Sequence, residues 1–220
     1  MVTDDPDTPG NGRWEINLAS AGDRTSEGWR FTGFDADINY GLGERLQLKI
    51  DAPWDFRRQD GTWSSGLGKA NFGIKWRFLD DDSYNWTVST YPQFGFNLDS
   101  AAVWRRLSDP GHSALLPVEA SSHLGPIDID VELGRELHTS GDGNWIAGVL
   151  LAHTYSGGLQ VMAEAREHWS TNSSALLINV GGRWQLRGGT GIMAALGREV
   201  GADNTSRLST LVYVGVQIRR

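Results

Sequence analysis

The sequence contains no cysteine, which excludes disulfide frameworks and thiolate metal sites. It also has no apolar run near the roughly 20 residues that a membrane-spanning helix needs; the longest candidate, Trp145 to Ala152, is far shorter. Mean hydropathy is -0.37. These absences exclude helical membrane proteins and leave barrels untouched, because a transmembrane strand needs only ~9 to 11 residues, with every second one apolar. A basic excess is missing too. The net charge of -7 argues against a nucleic-acid partner, since phosphate binding requires a basic patch. The five histidines, His112, His123, His138, His153 and His168, show no metal-ligand spacing of the HExxH kind. There is no Gly-x-Ser-x-Gly elbow, and the "GGTG" after Arg187 is not followed by a helical pattern, so it is no phosphate loop. No catalytic residue, metal ligand or cofactor is therefore assigned.

What the sequence does contain is glycine, 28 residues, and tryptophan, 10 residues, distributed through short alternating segments. In "RLQLKIDAPW", Leu46, Leu48, Ile50, Ala52 and Trp54 share one parity, while Arg45, Gln47, Lys49 and Asp51 share the other. The same pattern sets Phe34, Ala36, Ile38 and Tyr40, with Thr32, against Gly33, Asp35, Asp37 and Asn39. It sets Phe72, Ile74, Trp76 and Phe78 against Asn71, Lys75 and Arg77, and Ile127, Ile129 and Val131 against Asp128, Asp130 and Glu132. A one-residue slip would turn every one of these charges to the apolar side, so the pattern specifies its own register. The strand Trp145 to Tyr155 is apolar on both parities and has no predicted orientation.

About twelve such strands follow one another from residue 13 onward, with no helical period between them. Tight turns alternate with longer connections, among them 55 to 66 and 98 to 112. Short turns on one side and longer loops on the other are the arrangement of a transmembrane antiparallel up-and-down β-barrel. The N-terminal "MVTDDPDTPGNGR" is acidic and rich in Pro and Gly, without the basic and apolar regions of a signal peptide. Residues 1–12 read as a flexible segment and 13–220 as a single barrel domain.

A barrel reading assigns the charged parity to the lumen. Asp35 and Asp37, then Arg45 and Lys49, then Lys69, Lys75 and Arg77 lie on successive strands, and Glu119, Asp128, Asp130 and Glu132 lie further round. Basic and acidic walls facing one another would impose a transverse field on a polar solute; a salt-bridge network filling a narrow barrel is the alternative. Trp104, Arg105 and Arg106, in the longest loop, are candidates for a gate that folds inward over the mouth. Tryptophans sit toward strand ends. Trp76, Trp86 and Trp184 fall near one rim and Trp29, Trp54 and Trp145 near the other, as two interfacial girdles would require.

The segment "GLGKANFGIKWRF", Gly66 to Phe78, resembles a motif of the phenol meta-pathway degradation-like outer-membrane proteins, in which Gly-Leu-Gly-Asp leads into a strand ending Gly-x-Lys-aromatic-Arg-Phe. "INYGLGERLQLKIDAPW" is similar to that family's tight turn and outgoing strand. The resemblance covers residues 13 to 97, with Lys69 where the family usually has Asp. It implies a single-domain transporter-type barrel associated with the degradation of aromatic compounds, with no assigned catalytic residues. The resulting expectation is a bacterial outer-membrane barrel in contact with lipid, acting as a passive channel for small solutes, aromatic or hydrophobic ones among them. The rival readings are a non-conducting structural barrel, a soluble β-barrel ligand binder and an outer-membrane hydrolase.

Overall fold

The computed structural model describes residues 1–25, 28–59, 61–81, 85–171, 173–200 and 210–220. Twelve antiparallel strands close into one barrel. They are β1 (Trp14–Thr25), β2 (Gly28–Leu42), β3 (Leu46–Gln59), β4 (Thr62–Leu67 continuing as Lys69–Asp81), β5 (Trp86–Thr90 continuing as Gln93–Asn97), β6 (Ser113–Leu124), β7 (Ile127–His138), β8 (Asn144–Thr154), β9 (Leu159–Trp169), β10 (Ser174–Gln185), β11 (Thr190–Val200) and β12 (Thr210–Arg219). β4 is interrupted at Gly68, whose amide donates to the Pro53 carbonyl at 2.9 Å. In β5 the break falls at Tyr91 and Pro92, where the proline ring removes a ladder donor, yet both halves pair with β6 in one register.

Closure is made by β1 on β12, with Glu15 opposite Arg219 and Ile16 opposite Ile218. The Arg219 guanidinium donates to Glu15 Oε2 at 2.7 Å across this seam. Among the described residues the strands of the wall are paired on both sides, with Thr62–Leu67 at the rim pairing with β3 alone, and closure so removes the long row of unpaired backbone groups that neither lipid nor a soluble sheet tolerates.

Outward positions carry the large apolar side chains. Ile50, Phe72, Val149, Val161, Ile178 and Val214 are all exposed, and together they form an apolar surface far larger than a water-soluble protein presents. The unoriented strand resolves as well: in β8, Trp145, Val149 and Leu151 face out, while Ile146, Leu150 and Ala152 are buried inside.

Two expectations are corrected here. The stretch 55 to 66 is not a loop, because β3 and β4 extend through it as a hairpin pairing Arg57 with Ser64 and Arg58 with Trp63. Pairing runs to Gln59 opposite Thr62, and Gly61 at φ 78° supplies the left-handed conformation next to it. Thr32 does not share the outward face of Phe34, because a bulge between them returns Thr32 to the interior, where its hydroxyl donates to Asp55 Oδ1 at 2.7 Å. Residues 1–12, read from the sequence as a flexible segment, contact the barrel at Glu164 and Lys75 of the inner wall and at Glu44. Their carboxylates and backbone groups find partners on the inner wall that water alone would otherwise supply. The connection 201–207 lies outside the described residues.

Candidate functional site: the charged lumen

Antiparallel register sets inward positions of neighbouring strands side by side. Arg77 of β4 is opposite Ser89 of β5, Ser89 is opposite Glu119 of β6, and Glu119 is opposite Glu132 of β7. One step up β4 from Arg77, Lys75 reaches over β5 to this row. Its Nζ lies 3.3 Å from Glu119 Oε2 and 4.7 Å from the centroid of the Tyr91 ring. Ser89 Oγ donates to the same Glu119 oxygen at 2.8 Å. Lys75 is 1% exposed and Glu119 0%. A lysine so far removed from water is tolerable only because a carboxylate, a carbonyl and a ring face surround it.

The N-terminal segment completes this cluster. Asp4 Oδ1 is 3.1 Å from Lys75 Nζ, and Lys75 also donates to the Asp5 carbonyl. Burial alone would raise the Asp4 pKa, but the Lys75 and Lys49 ammonium groups outweigh it and hold the carboxyl below its ordinary value. Across the lumen the Val2 amide donates to Glu164 Oε1 at 2.9 Å, and the Thr3 amide donates to the same oxygen. Asn179 Nδ2 fixes the other Glu164 oxygen at 2.7 Å. Thr3 lies against Gly148 so closely that a Cβ there would be 2.3 Å from Thr3 Oγ1. Further down, Asp7 is 3.5 Å from Arg77 Nη1 and the Thr8 hydroxyl donates to the Glu44 carbonyl at 2.8 Å. At the short-turn mouth Gly10 abuts Gly41, where a side chain would meet the Gly10 carbonyl at 1.9 Å. The segment thus crosses from β9 to β4 at mid-barrel and leaves along β2.

Two cavities flank the crossing. One of about 550 Å³ opens on the short-turn side and is lined by Asp4, Asp5, Lys75, Arg183 and Arg219 among others. The other, about 230 Å³, lies toward the loops between Asp51, Lys69, Asn71, Gln93 and Glu136.

The charges expected in the lumen pair mostly with close neighbours rather than across an open bore. Lys49 meets Asp37 of the adjacent strand at 3.2 Å, and Asp37 also accepts from Asn39 at 2.8 Å. Arg166 Nε donates to Glu132 at 3.1 Å. Asp35 is a half-buried inward residue of β2, and Asp130 has Asp5 and Asp7 as electrostatic neighbours. Asp128 sits at the short-turn rim, 2.5 Å from His123 Nδ1. Arg45 is a correction: it is exposed in the tight turn between β2 and β3, and the strand that would point it inward begins only at Leu46.

Glu164 and Gly148 were not singled out in the sequence. Glu164 had a readable signal, since Gln160, Glu164 and Arg166 share the parity opposite to Val161 and Ala163. Gly148 had none, because its importance lies in what approaches it.

The loop at 98 to 112 carries a one-turn helix, α1 (Ala101–Trp104). Trp104 does not fold inward as a gate; it is 88% exposed. At ~100° per residue, Trp104 lies on the face of α1 opposite the buried Ala102. Arg105 turns to the rim instead, and Arg106 is exposed. Arg105 Nη1 donates to the Ser65 carbonyl at 2.9 Å and pairs with Asp99, and the Arg106 carbonyl accepts from Arg57 at 2.8 Å. The tryptophans read as girdles, Trp29, Trp54, Trp76, Trp86, Trp145 and Trp184, are all on the outer surface. Trp145 stacks on Trp169 at 6.5 Å on the loop side, and Trp14 packs on Tyr40 at 4.7 Å at the other end.

No protein-family model and no curated sequence matches the chain. Solved structures do. An outer membrane channel from Pseudomonas putida F1 superposes over 100% of both chains with a TM-score of 0.75 at 11% identity. The KdgM porin, solved with disordered oligogalacturonate, covers 93% of this chain and 98% of its own at 0.68 and 8% identity. The NanC porin covers 92% and 98% at 0.68 and 10% identity. At such identities the likeness is one of fold: the chain is a closed twelve-stranded barrel of the outer-membrane channel architecture.

Proposed function

We propose that this chain is a passive outer-membrane channel for small polar or ionic solutes. The observation that carries the reading is the pair of cavities on either side of the Lys75 crossing, the larger of them lined mainly by charged side chains, enclosed by a wall whose outer face is apolar. An apolar exterior disfavours a soluble binder, and among the described residues no group of His, Cys, Asp or Glu is placed to hold a metal. Ten tryptophans do not make an aromatic-lined route, because the exposed ones point away from the lumen and Tyr91 is the large ring beside Lys75. The Gly66 to Phe78 segment supports placing the chain with the phenol meta-pathway degradation-like proteins, and the polar interior favours ionised rather than apolar solutes. Exposed tryptophans near both strand ends support two interfacial girdles.

A second reading has an observation of its own. Lys75, Glu119, Glu132 and Glu164 are all at most 5% exposed, as in a barrel closed by its own ion pairs. Planar-bilayer recording of refolded protein under a salt gradient separates the two. Discrete conductance steps are the expected result; silence from protein shown to be folded and inserted would leave the closed barrel standing.

A further inference from the structure

The cation at the crossing is held by a carboxylate that does not belong to the wall. Lys75 is 2% exposed at its side chain, whereas Asp4, its ion-pair partner, is 34% exposed and borders the larger cavity. The wall supplies one carboxylate, Glu119, and that group is shared with Ser89. Removing Asp4 would leave Lys75 open to the cavity with half its anionic complement gone. Arg183 lines the same cavity, and its guanidinium hydrogen-bonds the neutral Gln160 side chain at 2.9 Å. Lys49 also acts on Asp4 from the neighbouring strand.

We propose that Lys75 is a binding station for the carboxylate of small anionic solutes, and that Asp4 occupies it as a tethered surrogate which an incoming solute displaces. The exchange preserves charge at every stage, because one carboxylate leaves Lys75 as another arrives. It also explains why an acidic segment is threaded through a lumen already rich in glutamate: its acid is matched to the one deeply buried lysine. The tether gives Asp4 an effective concentration on the order of millimolar, so a free carboxylate competes at similar concentrations and binds better once Asp4 is neutralised.

The inference rests on the channel reading for the solute's route, but binding is measurable without conduction. Detergent-folded full-length protein is titrated calorimetrically with propionate and with its neutral isostere propionamide. Asp4→Asn is expected to bind propionate about tenfold more tightly than the unmodified chain, with propionamide inert. A Lys75→Met/Glu119→Gln protein, which removes both buried charges together and so avoids stranding either, is expected to lose the site. Equal propionate affinity with and without Asp4, or equal binding of propionamide, would overturn the proposal. In bilayers, conductance steps that propionate leaves unchanged in Asp4→Asn would overturn the station while the channel reading stood. Propionate binding to a barrel that never conducts would do the reverse.

Discussion

Two segments outside the barrel wall pack against it, and they do so by different physics. The N-terminal stretch lies at mid-barrel and places Asp4 and two backbone amides against Lys75 and Glu164, partners that are almost wholly buried. The loop at 98 to 112 lies at the rim and uses arginines, but Arg105 and its partner Asp99 are 39% and 37% exposed, and two of its other contacts are to backbone carbonyls. The acidic segment meets a buried cation of the wall, whereas the ion pair of the rim loop, Arg105 with Asp99, closes within the loop itself, and Arg105 reaches the wall only through the Ser65 carbonyl. Away from water an ion pair is strongly interdependent, so deleting one member leaves the other stranded. In water the same pair is screened and worth little.

The largest effect is expected from breaking the buried side of this comparison. Lys75→Met alone should destabilise the refolded barrel by about 3 to 5 kcal/mol, because Glu119 is left without its cation. Urea unfolding followed by tryptophan fluorescence measures it, and adding Glu119→Gln should restore most of the loss. An unchanged midpoint for Lys75→Met would mean that the cluster is hydrated.

A smaller effect should follow from loosening the segment without touching Lys75. Glu164→Gln weakens charge-assisted hydrogen bonds from Val2 and Thr3 by about 1.5 to 3 kcal/mol. Gly148→Val puts a methyl group where Thr3 lies. Both should speed proteolysis within residues 1–12 and raise conductance, while the barrel itself stays heat-resistant on gels. Protection equal to that of the unmodified chain would place the hold elsewhere. Arg105→Ala stands at the small end. It should cost less than ~1 kcal/mol and show itself chiefly as altered current noise, and a loss comparable to that of Lys75→Met would erase the contrast between the two segments.

Much of the wall was legible in the sequence, since a period of two with apolar residues on one parity leaves little freedom in "RLQLKIDAPW" or "IDIDVEL". The exceptions have local causes. A bulge reverses parity at Thr32, and a break at Gly68 does so within β4. A hairpin extension hid in 55 to 66 because its Arg, Asp and Gln looked like a solvated loop. The site was legible only in part: Lys49, Lys75, Glu119 and Glu132 could be assigned to the lumen, but their partners could not.

By itself, then, the chain's alternation determined an all-β barrel with charges inside, because side-chain direction along a strand is a local property of the backbone. Which charges meet was decided by the tertiary structure. Lys75 and Glu119 are on strands that are not neighbours, and Asp4 reaches Lys75 from 71 positions away. Such encounters depend on strand register, on closure of β1 against β12 and on the path of a segment that carries no period at all.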